Sequence, residues 1–207
     1  MYKINKTYEN TIIINKSEFI THIYRVDSVE DVNDYLASTR KKYYDATHNC
    51  YAYIIGENAE IQKSSDDGEP QKTAGMPMLD VLKKNNLTNV LAITTRYFGG
   101  ILLGAGGLVR AYSSSVSECL KKAELYDTKE GLKLQITLNY SDYNSFIKFP
   151  YIKIIDQLFT EDVKLIFVID NDKYDTLITD LQNRKIELNI QKLGNEIIEY
   201  KVDHIGS

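Results

Sequence analysis

The stretch that decides the fold of the N-terminal half is NVLAITTRYFGGILLGAGGLVRAY, residues 89–112. Its first nine residues are mostly apolar or β-branched, as in a buried strand, and its end begins an apolar stripe at helical spacing. Between the two, five of the chain's eleven glycines fall within residues 99–107. The stretch therefore predicts a strand, a glycine-rich loop and a helix in direct succession.

Strand and helix signals surround this stretch in the N-terminal half. Apolar and β-branched runs predict strands at residues 11–15, 18–26, 48–55 and 60–65. Ser28 is a favourable N-cap with Asp31 three residues later, and this pair predicts a helix that runs to about Lys42. A short helix that ends near Lys84 is expected after the acidic loop described below.

A different pattern begins after residue 124. Residues 125–131 predict a polar connection, and the segments beyond it predict the order βαββαβ with an extra terminal strand or hairpin. That order is typical of a ferredoxin-like sandwich. The sequence therefore predicts an α+β protein of two domains, residues 1–127 and residues 128–207.

Composition limits the classes of partner. The 207 residues are 43% hydrophobic and 26% charged, with a formal net charge of -4, which argues against a broadly basic surface for nucleic acid. Any contact with phosphate must be local, and no DNA specificity is expected. Two cysteines, no basic-then-apolar leader and no apolar run near 18 residues predict a cytoplasmic protein without membrane contact.

The glycine stretch matches neither nucleotide-binding motif. A P-loop needs Lys and Ser or Thr after its last glycine, but Ala105 and Gly106 follow Gly104. A dinucleotide fingerprint needs a third glycine where this chain has none, and a later strand with an acidic residue. What remains is a general anion site, at which free N–H groups, the helix N-terminus, Arg96 and Arg110 hold a phosphate or sulfate.

A structural role for the same glycines stays open beside the anion site. Glycine permits left-handed turns and close packing of a helix on a sheet. Arg96 ends an otherwise apolar strand, so it needs an acidic partner, carbonyl groups or a ligand. Arg110, Ser114, Ser117 and Lys121 share one polar helix face, because their spacings return to the same side.

The acidic loop is the second candidate region. Asp66, Asp67 and Glu69 fall in one turn, where they either hold a divalent cation or bond local N–H groups. Lys72 opposes a cation, so we expect a turn, with Thr73 capping the next helix. Glu69 or Asp67 is then a candidate ionic partner for Arg96 or Arg110.

His48 and Cys50 lie two residues apart in a strand and face the same side. They supply two metal ligands but not four. Neighbouring positions on one face of a strand are nearly 7 Å apart, at a rise of roughly 3.3 Å per residue, which is poor spacing for a nucleophile and its base. We therefore expect no catalytic residue, no cofactor and no metal.

Three motifs carry a resemblance to a known family. ATHNCYAY (residues 46–53), SDDGEPQKTAG (residues 65–75) and TRYFGGILLGAGGLVRAY (residues 95–112), in this order, closely resemble the YigZ/IMPACT family. One departure is Gln71–Lys72, where small residues such as Ser-Gly are expected.

The resemblance implies two domains. The N-terminal one is an Impact N-terminal-like domain, an α/β sandwich like the second domain of ribosomal protein S-five, and the C-terminal one is ferredoxin-like. The pairing is similar to the last two domains of elongation factor G, which act on the ribosome. Eukaryotic members resemble translation regulators that act by protein contact, in competition with the activator of a starvation-response kinase.

Two functions follow as hypotheses. The first is a noncatalytic regulator of translation under stress that binds the ribosome, RNA or a translation-related protein. The second is an enzyme acting on a phosphate-bearing small molecule, with Arg96 and Arg110 as clamps, His48 as acid or base, and Asp67 or Glu69 as base or metal ligand. The expected binding residues are Arg96, Tyr97, Gly99, Gly100, Gly104, Gly106, Gly107, Arg110, His48, Asp66, Asp67, Glu69, Thr73 and Lys121.

Overall fold

The computed structural model describes residues 1–202, which divide into two units. The first comprises Met1–Asp127 with residues 201–202, and the second is Thr128–Tyr200. Residues 203–207 of the predicted second domain lie outside the described residues. The predicted mixture of helices and sheets is confirmed, while the two-domain division and the likeness of each part to a named domain stay predictions.

The described residues form ten strands and five α-helices. The strands are β1 (Lys3–Ile4), β2 (Tyr8–Ile14), β3 (Ser17–Arg25), β4 (His48–Ile55), β5 (Ile61–Ser65), β6 (Val90–Tyr97), β7 (Leu125–Leu138), β8 (Lys153–Phe159), β9 (Val163–Asp170) and β10 (Ile190–Val202). The helices are α1 (Val29–Lys42), α2 (Gly75–Lys84), α3 (Gly104–Leu120), α4 (Tyr140–Phe146) and α5 (Tyr174–Asn183). None of the helices in residues 1–202 is long and apolar enough to cross a membrane.

The first unit is a five-stranded antiparallel sheet with helices on both faces. Its strand order is β2-β3-β6-β4-β5. Helices α2 and α3 cover one face, where Phe19, Met78 and Tyr112 are buried in the larger core. Helix α1 covers the other face around Val32 and Ile93. Because side chains alternate along a strand, each residue of β3, β4 and β6 faces either α2 and α3 or α1.

The predicted capping of α1 is confirmed. The backbone N–H of Asp31 donates to the Ser28 hydroxyl oxygen at 3.1 Å, and the Ser28 N–H donates to the Asp31 carboxylate at 2.9 Å. Both donors would otherwise lack a partner at the helix start. The signal lies within four residues, which is why the sequence alone predicts where this helix begins.

The second unit has the element order βαββαβ, in β7-α4-β8-β9-α5-β10. Its strands lie in the order β10-β7-β9-β8, and Phe146, Phe167 and Leu177 are buried in its core. The ferredoxin-like name stays a prediction, which this order supports.

The observed strands differ from the sequence predictions at three places. Residues 125–131, predicted as a polar connection, belong to β7. The hydrogen-bonding partners of β7 come from distant segments, at Lys3↔Tyr126 and Gly131↔Asp170, so no local pattern reveals them. The two strands predicted near the C-terminus are one strand, β10, and β1 was not predicted.

Candidate functional site

The candidate site begins as a row of side chains across the sheet of the first unit. Arg96 in β6 lies opposite His48 in β4 and Phe19 in β3, so all three face α2 and α3. Beside this row lies a pocket of about 370 Å³. It is lined by Thr47, His48, Gly68, Glu69, Pro70, Arg96, Phe98, Leu102, Leu103, Gly104, Ala105 and Leu108.

Arg96 and Glu69 form a buried ion pair at this pocket. Arg96 Nη1 donates to Glu69 Oε1 at 2.6 Å, and the two side chains are only 6% and 3% exposed. The Tyr112 hydroxyl donates to the same oxygen at 2.8 Å, and Arg96 Nη2 donates to the Ser17 hydroxyl oxygen at 3.4 Å. Arg96 Nε is buried and has no hydrogen-bond partner among residues 1–202. Glu69 therefore neutralises Arg96.

This pairing corrects the predicted anion clamp of Arg96 and Arg110. Arg96 is only 5% exposed and its charge is compensated, so it has little attraction left for an anion. Arg110 is exposed on α3 and does not line the pocket. The two arginines thus lie in different environments, one inside the unit and one on its surface.

His48 lies beside the same carboxylate. Its Nδ1 lies 2.8 Å from the main-chain oxygen of Asp67, and since a carbonyl oxygen only accepts, Nδ1 carries the proton. Its Nε2 lies 3.8 Å from Glu69 Oε2, a distance at which a protonated ring forms an ion pair with this carboxylate. Among residues 1–202, neither Nε2 nor Oε2 forms a hydrogen bond.

The acidic loop has a structural role. The Asp66 carboxylate accepts hydrogen bonds from the N–H groups of Lys72, Ala74 and Gly75, at 2.8, 3.0 and 2.8 Å, and so holds the start of α2. Asp67 accepts from the N–H of Asn49 at 2.7 Å and pairs with an arginine of α1 at 3.1 Å. Within residues 1–202, no three His, Cys, Asp or Glu side chains are grouped to hold a metal ion.

Thr73 does not cap α2 as predicted. Its hydroxyl donates to the Pro70 carbonyl at 2.7 Å, and the N-cap is Ala74, which offers no side-chain bond. Asp66 supplies the missing acceptor from outside the helix, which explains why α2 begins without a side-chain cap. Lys72 in the same loop has φ of 61°, the left-handed conformation that favours glycine. This conformation accounts for the small residue that the family resemblance implies there.

The Cys50 thiol is not available as a nucleophile. Its sulfur lies 2.9 Å from the Asp66 carbonyl oxygen and 3.4 Å from the Tyr112 hydroxyl oxygen, and its one proton is donated to one of these two acceptors. Burial raises the pKa of Cys50 and the pKa of Tyr112 well above their ordinary values. Both groups keep their protons, and neither matches an activated catalytic group.

The glycines divide into two kinds. A Cβ on Gly99 would lie 2.0 Å from the Lys16 carbonyl carbon, and Gly100 and Gly104 have φ of 82° and 67°. These three glycines are required by packing or by backbone conformation. At Gly106 the nearest atom to an added Cβ is Arg110 Nη1, at 3.6 Å, so its small size has no such steric explanation. A Cβ on Gly107 would meet only the Leu103 side chain, at 3.1 Å.

The outer face of α3 carries the other predicted cations. Arg110 and Lys121 are exposed, and Lys121 Nζ bonds to Glu118 at 2.6 Å. Arg110 forms no hydrogen bond or ion pair with residues 1–202. The helix starts at Leu103 without a side-chain cap and without an acidic residue in its first turn. Its first N–H groups and Arg110 are therefore the places where a negative charge is favoured.

The pocket brings together only some of the predicted residues. His48, Glu69, Arg96 and Gly104 line it, whereas Tyr97 points to the opposite face of the sheet. The Tyr97 hydroxyl donates to Asp45 at 2.8 Å, and this bond raises the pKa of Tyr97 to about 12.

Sequence reasoning missed several members of the site. Tyr112 and Ser17 carry no local signal for this site, because their partners Glu69 and Arg96 lie 43 and 79 residues away in the chain. Phe98 and Leu102, at the pocket rim, did carry a signal, since they are large apolar residues close to the glycines of a loop. Both are exposed, at 47% and 86%.

Comparison with known proteins establishes the family. The chain belongs to the IMPACT family: the model of the Impact N-terminal domain matches residues 15–120. An IMPACT family member of Haemophilus influenzae is 31% identical over 189 residues, which cover 87% of this chain and 92% of that protein. The predicted resemblance is confirmed.

Other similarities differ in how much of each chain they cover. IMPACT family member YvyE of Bacillus subtilis is 50% identical over 128 residues, which span 62% of this chain but only 59% of that relative. A crystal structure described as that of a hypothetical protein has a TM-score of 0.60 and 29% identity, over 93% of this chain and 96% of that one. It supports a similar fold over most of both chains.

Proposed function

We propose that this IMPACT family member is a noncatalytic regulator associated with translation, which acts by binding the ribosome, RNA or a translation-related protein. The observation that carries the proposal is the buried network around Glu69. The predicted enzyme would use Arg96 as a clamp and Glu69 as a base or metal ligand, yet these two residues are bonded to each other, and Cys50 stays protonated. The resemblance to translation regulators supports the proposed association with translation.

The outer face of α3 is the binding surface we propose, defined by Arg110, Ser114, Ser117 and Lys121. Arg110 and Lys121 are exposed there, and Arg110 lies close to Gly106 in the uncapped first turn. A phosphate or sulfate group would be stabilised by free N–H donors, the helix dipole and one guanidinium group. Since the chain carries a net charge of -4, binding to RNA would depend on this face rather than on overall charge.

An enzyme remains the second candidate, because His48, Glu69 and Arg96 do line one pocket. It would act on a phosphate-bearing small molecule, with His48 Nε2 as the base. The neutralised arginine weakens this candidate, since a phosphate entering the pocket would meet a carboxylate as well as a guanidinium group.

Cosedimentation of the full chain with ribosomes tests the proposal. Ribosomes from the source cell are mixed with the protein at low salt and pelleted, with ribosomal RNA stripped of protein as a second sample. We expect the chain in the ribosome pellet. Binding to stripped RNA as well would assign the contact to RNA, and binding to whole ribosomes alone would assign it to protein. A chain that stays in the supernatant with both would contradict the proposal.

A further inference from the structure

Helices α2 and α3 form a groove on the outside of the first unit, with a volume of about 510 Å³. One stripe of side chains along each helix lines it: Met76, Asp80 and Lys84 on α2, and Val109, Ser113 and Ser117 on α3. Members of a stripe are four residues apart, so they lie on successive turns of one helix face. Four residues rise about 6 Å, and each stripe is therefore about 12 Å long, or two turns. We call this feature the α2–α3 groove.

The α2–α3 groove exposes one apolar side chain on each helix. Met76 is 43% exposed on α2 and Val109 is 37% exposed on α3. Val81 and Pro77 also line the groove and are buried beneath its surface. Exposed apolar side chains on a concave surface are typical of contact with a partner. The charged side chains around them indicate which kind of partner this is.

Three charged side chains line the α2–α3 groove, all on its α2 side. Lys72 precedes α2 and Lys84 ends it, so the two cations lie at opposite ends of a helix about 15 Å long. Asp80 lies between them. All three side chains are exposed, and none forms an ion pair with another of residues 1–202. The groove therefore presents two uncompensated positive charges at its ends and one negative charge between them.

This order of charges favours a protein segment over a nucleic acid. A phosphate backbone carries only negative charge, so Asp80 would repel it, and it has no apolar group to cover Met76 and Val109. A segment with carboxylates toward both ends and apolar side chains between them complements Lys72, Lys84 and the apolar surface together. A helix suits the shape, because the groove lies between two helices and is two turns long.

We propose that the α2–α3 groove binds an acidic amphipathic helix of a partner protein. The apolar face of that helix covers Met76 and Val109, and its carboxylates pair with Lys72 and Lys84. The groove shares Ser117 with the proposed binding surface on α3. This inference therefore rests on the protein-binding form of the proposed function and names the chemistry of the partner segment.

Selection from a peptide library tests the inference. The probe is a phage-displayed library of helical peptides of about five turns, with one face randomised among leucine, alanine, glutamate and lysine, and the immobilised target is the full chain. We expect the most enriched family to carry glutamate toward both ends and leucine between them. A fluorescein-labelled member of that family should bind with a Kd of roughly 1 to 100 µM, measured by fluorescence anisotropy.

Two double variants show whether the peptide binds at the lysines of the groove. Lys72→Glu/Lys84→Glu reverses both of its cations, whereas Lys41→Glu/Lys63→Glu makes the same change in net charge on α1 and β5. Lys63 lies opposite Tyr53, which packs on the α1 side of the sheet, away from the groove. We expect the first variant to weaken peptide binding roughly tenfold or more and the second to leave it within about twofold. Selection repeated on the first variant should enrich peptides with lysine toward both ends.

A second pair of variants tests the apolar contact. Met76→Ser removes an apolar side chain from the groove, whereas Ile13→Ser removes one that is 72% exposed and does not line it. We expect Met76→Ser to weaken peptide binding roughly fivefold and Ile13→Ser to leave it within about twofold.

Three results would overturn the inference: no enriched family, an enriched family without acidic ends, or equal peptide binding by the two lysine variants. Labelled polyuridine RNA tests the other class of partner, and RNA binding that only Lys72→Glu/Lys84→Glu abolishes would assign the groove to nucleic acid instead. None of these results affects the proposed function, because ribosome cosedimentation of the unaltered chain does not depend on the peptide. Conversely, peptide binding by a chain that fails to sediment with ribosomes would retain the groove and reject the association with translation.

Discussion

Arg96 Nη1 lies 2.6 Å from Glu69 Oε1, and with side chains 6% and 3% exposed the two residues form an ion pair shielded from solvent. The pair lies between the sheet and the start of α3, where the sequence predicts an anion site. The effect of such a buried pair on stability appears when the pair is broken. Removal of one partner leaves a charge in a medium that solvates it poorly.

Breaking this pair should therefore destabilise the first unit. Arg96→Ala and Glu69→Ala should each lower the free energy of unfolding by roughly 3 to 5 kcal/mol, and the double variant Arg96→Met/Glu69→Met by much less than their sum. Urea denaturation measures all three. Arg40→Ala is the control, because its pair with Asp67 is 53% exposed at the arginine and should contribute at most about 1 kcal/mol. Equal losses for Arg96→Ala and Arg40→Ala would show that the buried pair has no special role.

Gly99 in the loop and Gly106 in α3 should respond in opposite directions to substitution by alanine. Gly99→Ala places Cβ 2.0 Å from the Lys16 backbone and should destabilise the protein strongly. Gly106→Ala meets nothing closer than 3.6 Å within α3, and should stabilise it by roughly 0.5 to 1 kcal/mol through reduced backbone entropy of the unfolded chain. Thermal unfolding of the two variants gives the comparison. A stability loss at Gly106 comparable to that at Gly99 would mean that the added methyl group is not accommodated.

His22 should make stability depend on pH below neutrality. Burial lowers its pKa from the ordinary 6.5, although Glu9, whose carboxylate is 2.7 Å from Nε2, acts in the opposite direction. Protonation would place an N–H on Nδ1, which is buried and has no hydrogen-bond partner in the described part of the chain. Because the folded pKa lies below the unfolded one, the unfolded chain binds the proton first, and stability falls as pH falls through about 6.5.

The variant His22→Gln keeps a polar side chain but does not titrate. Its free energy of unfolding, measured by urea denaturation from about pH 7.5 to about pH 5, should fall less than that of the unaltered chain. An equally steep fall in the two proteins would assign the pH dependence to other groups.

Local signals in the sequence were enough for the strand, loop and helix of residues 89–112 and for the capping box at Ser28, since each signal lies within a few neighbouring residues. The sequence limited the ionic partner of Arg96 to Asp67 or Glu69 but did not distinguish between them. The choice depends on the turn between them, where Asp67 and Gly68 have φ of 42° and 89°. That turn places Asp67 beside Arg40 and Glu69 beside Arg96.

Contacts between distant segments left no such signal. Ser17 meets Arg96 and Gly99 only because β3 and the end of β6 lie side by side. The polar residues at the start of β7 form a strand because their backbone partners, such as Lys3, come from far along the chain. Side-chain periodicity reports burial, and it cannot report which segments supply backbone hydrogen bonds.

The proposed surface on α3 can be separated from nonspecific charge by two double variants. Arg110→Ala/Lys121→Ala removes its cations, and Lys41→Ala/Lys63→Ala removes two exposed lysines on α1 and β5, for the same change in net charge. Both should leave the free energy of unfolding within about 0.5 kcal/mol per substitution, as exposed changes usually do. A loss of ribosome binding by the first variant would then be a loss of contact and not of folding.

The most direct measurement is ribosome cosedimentation of these proteins across a salt series. If α3 contacts two or three phosphates, the logarithm of affinity should fall against the logarithm of salt concentration with a slope of about -2. We expect the slope to be close to zero for Arg110→Ala/Lys121→Ala and unchanged for Lys41→Ala/Lys63→Ala. No binding at low salt, or binding by the α3 variant with the slope of the unaltered chain, would contradict the proposed surface.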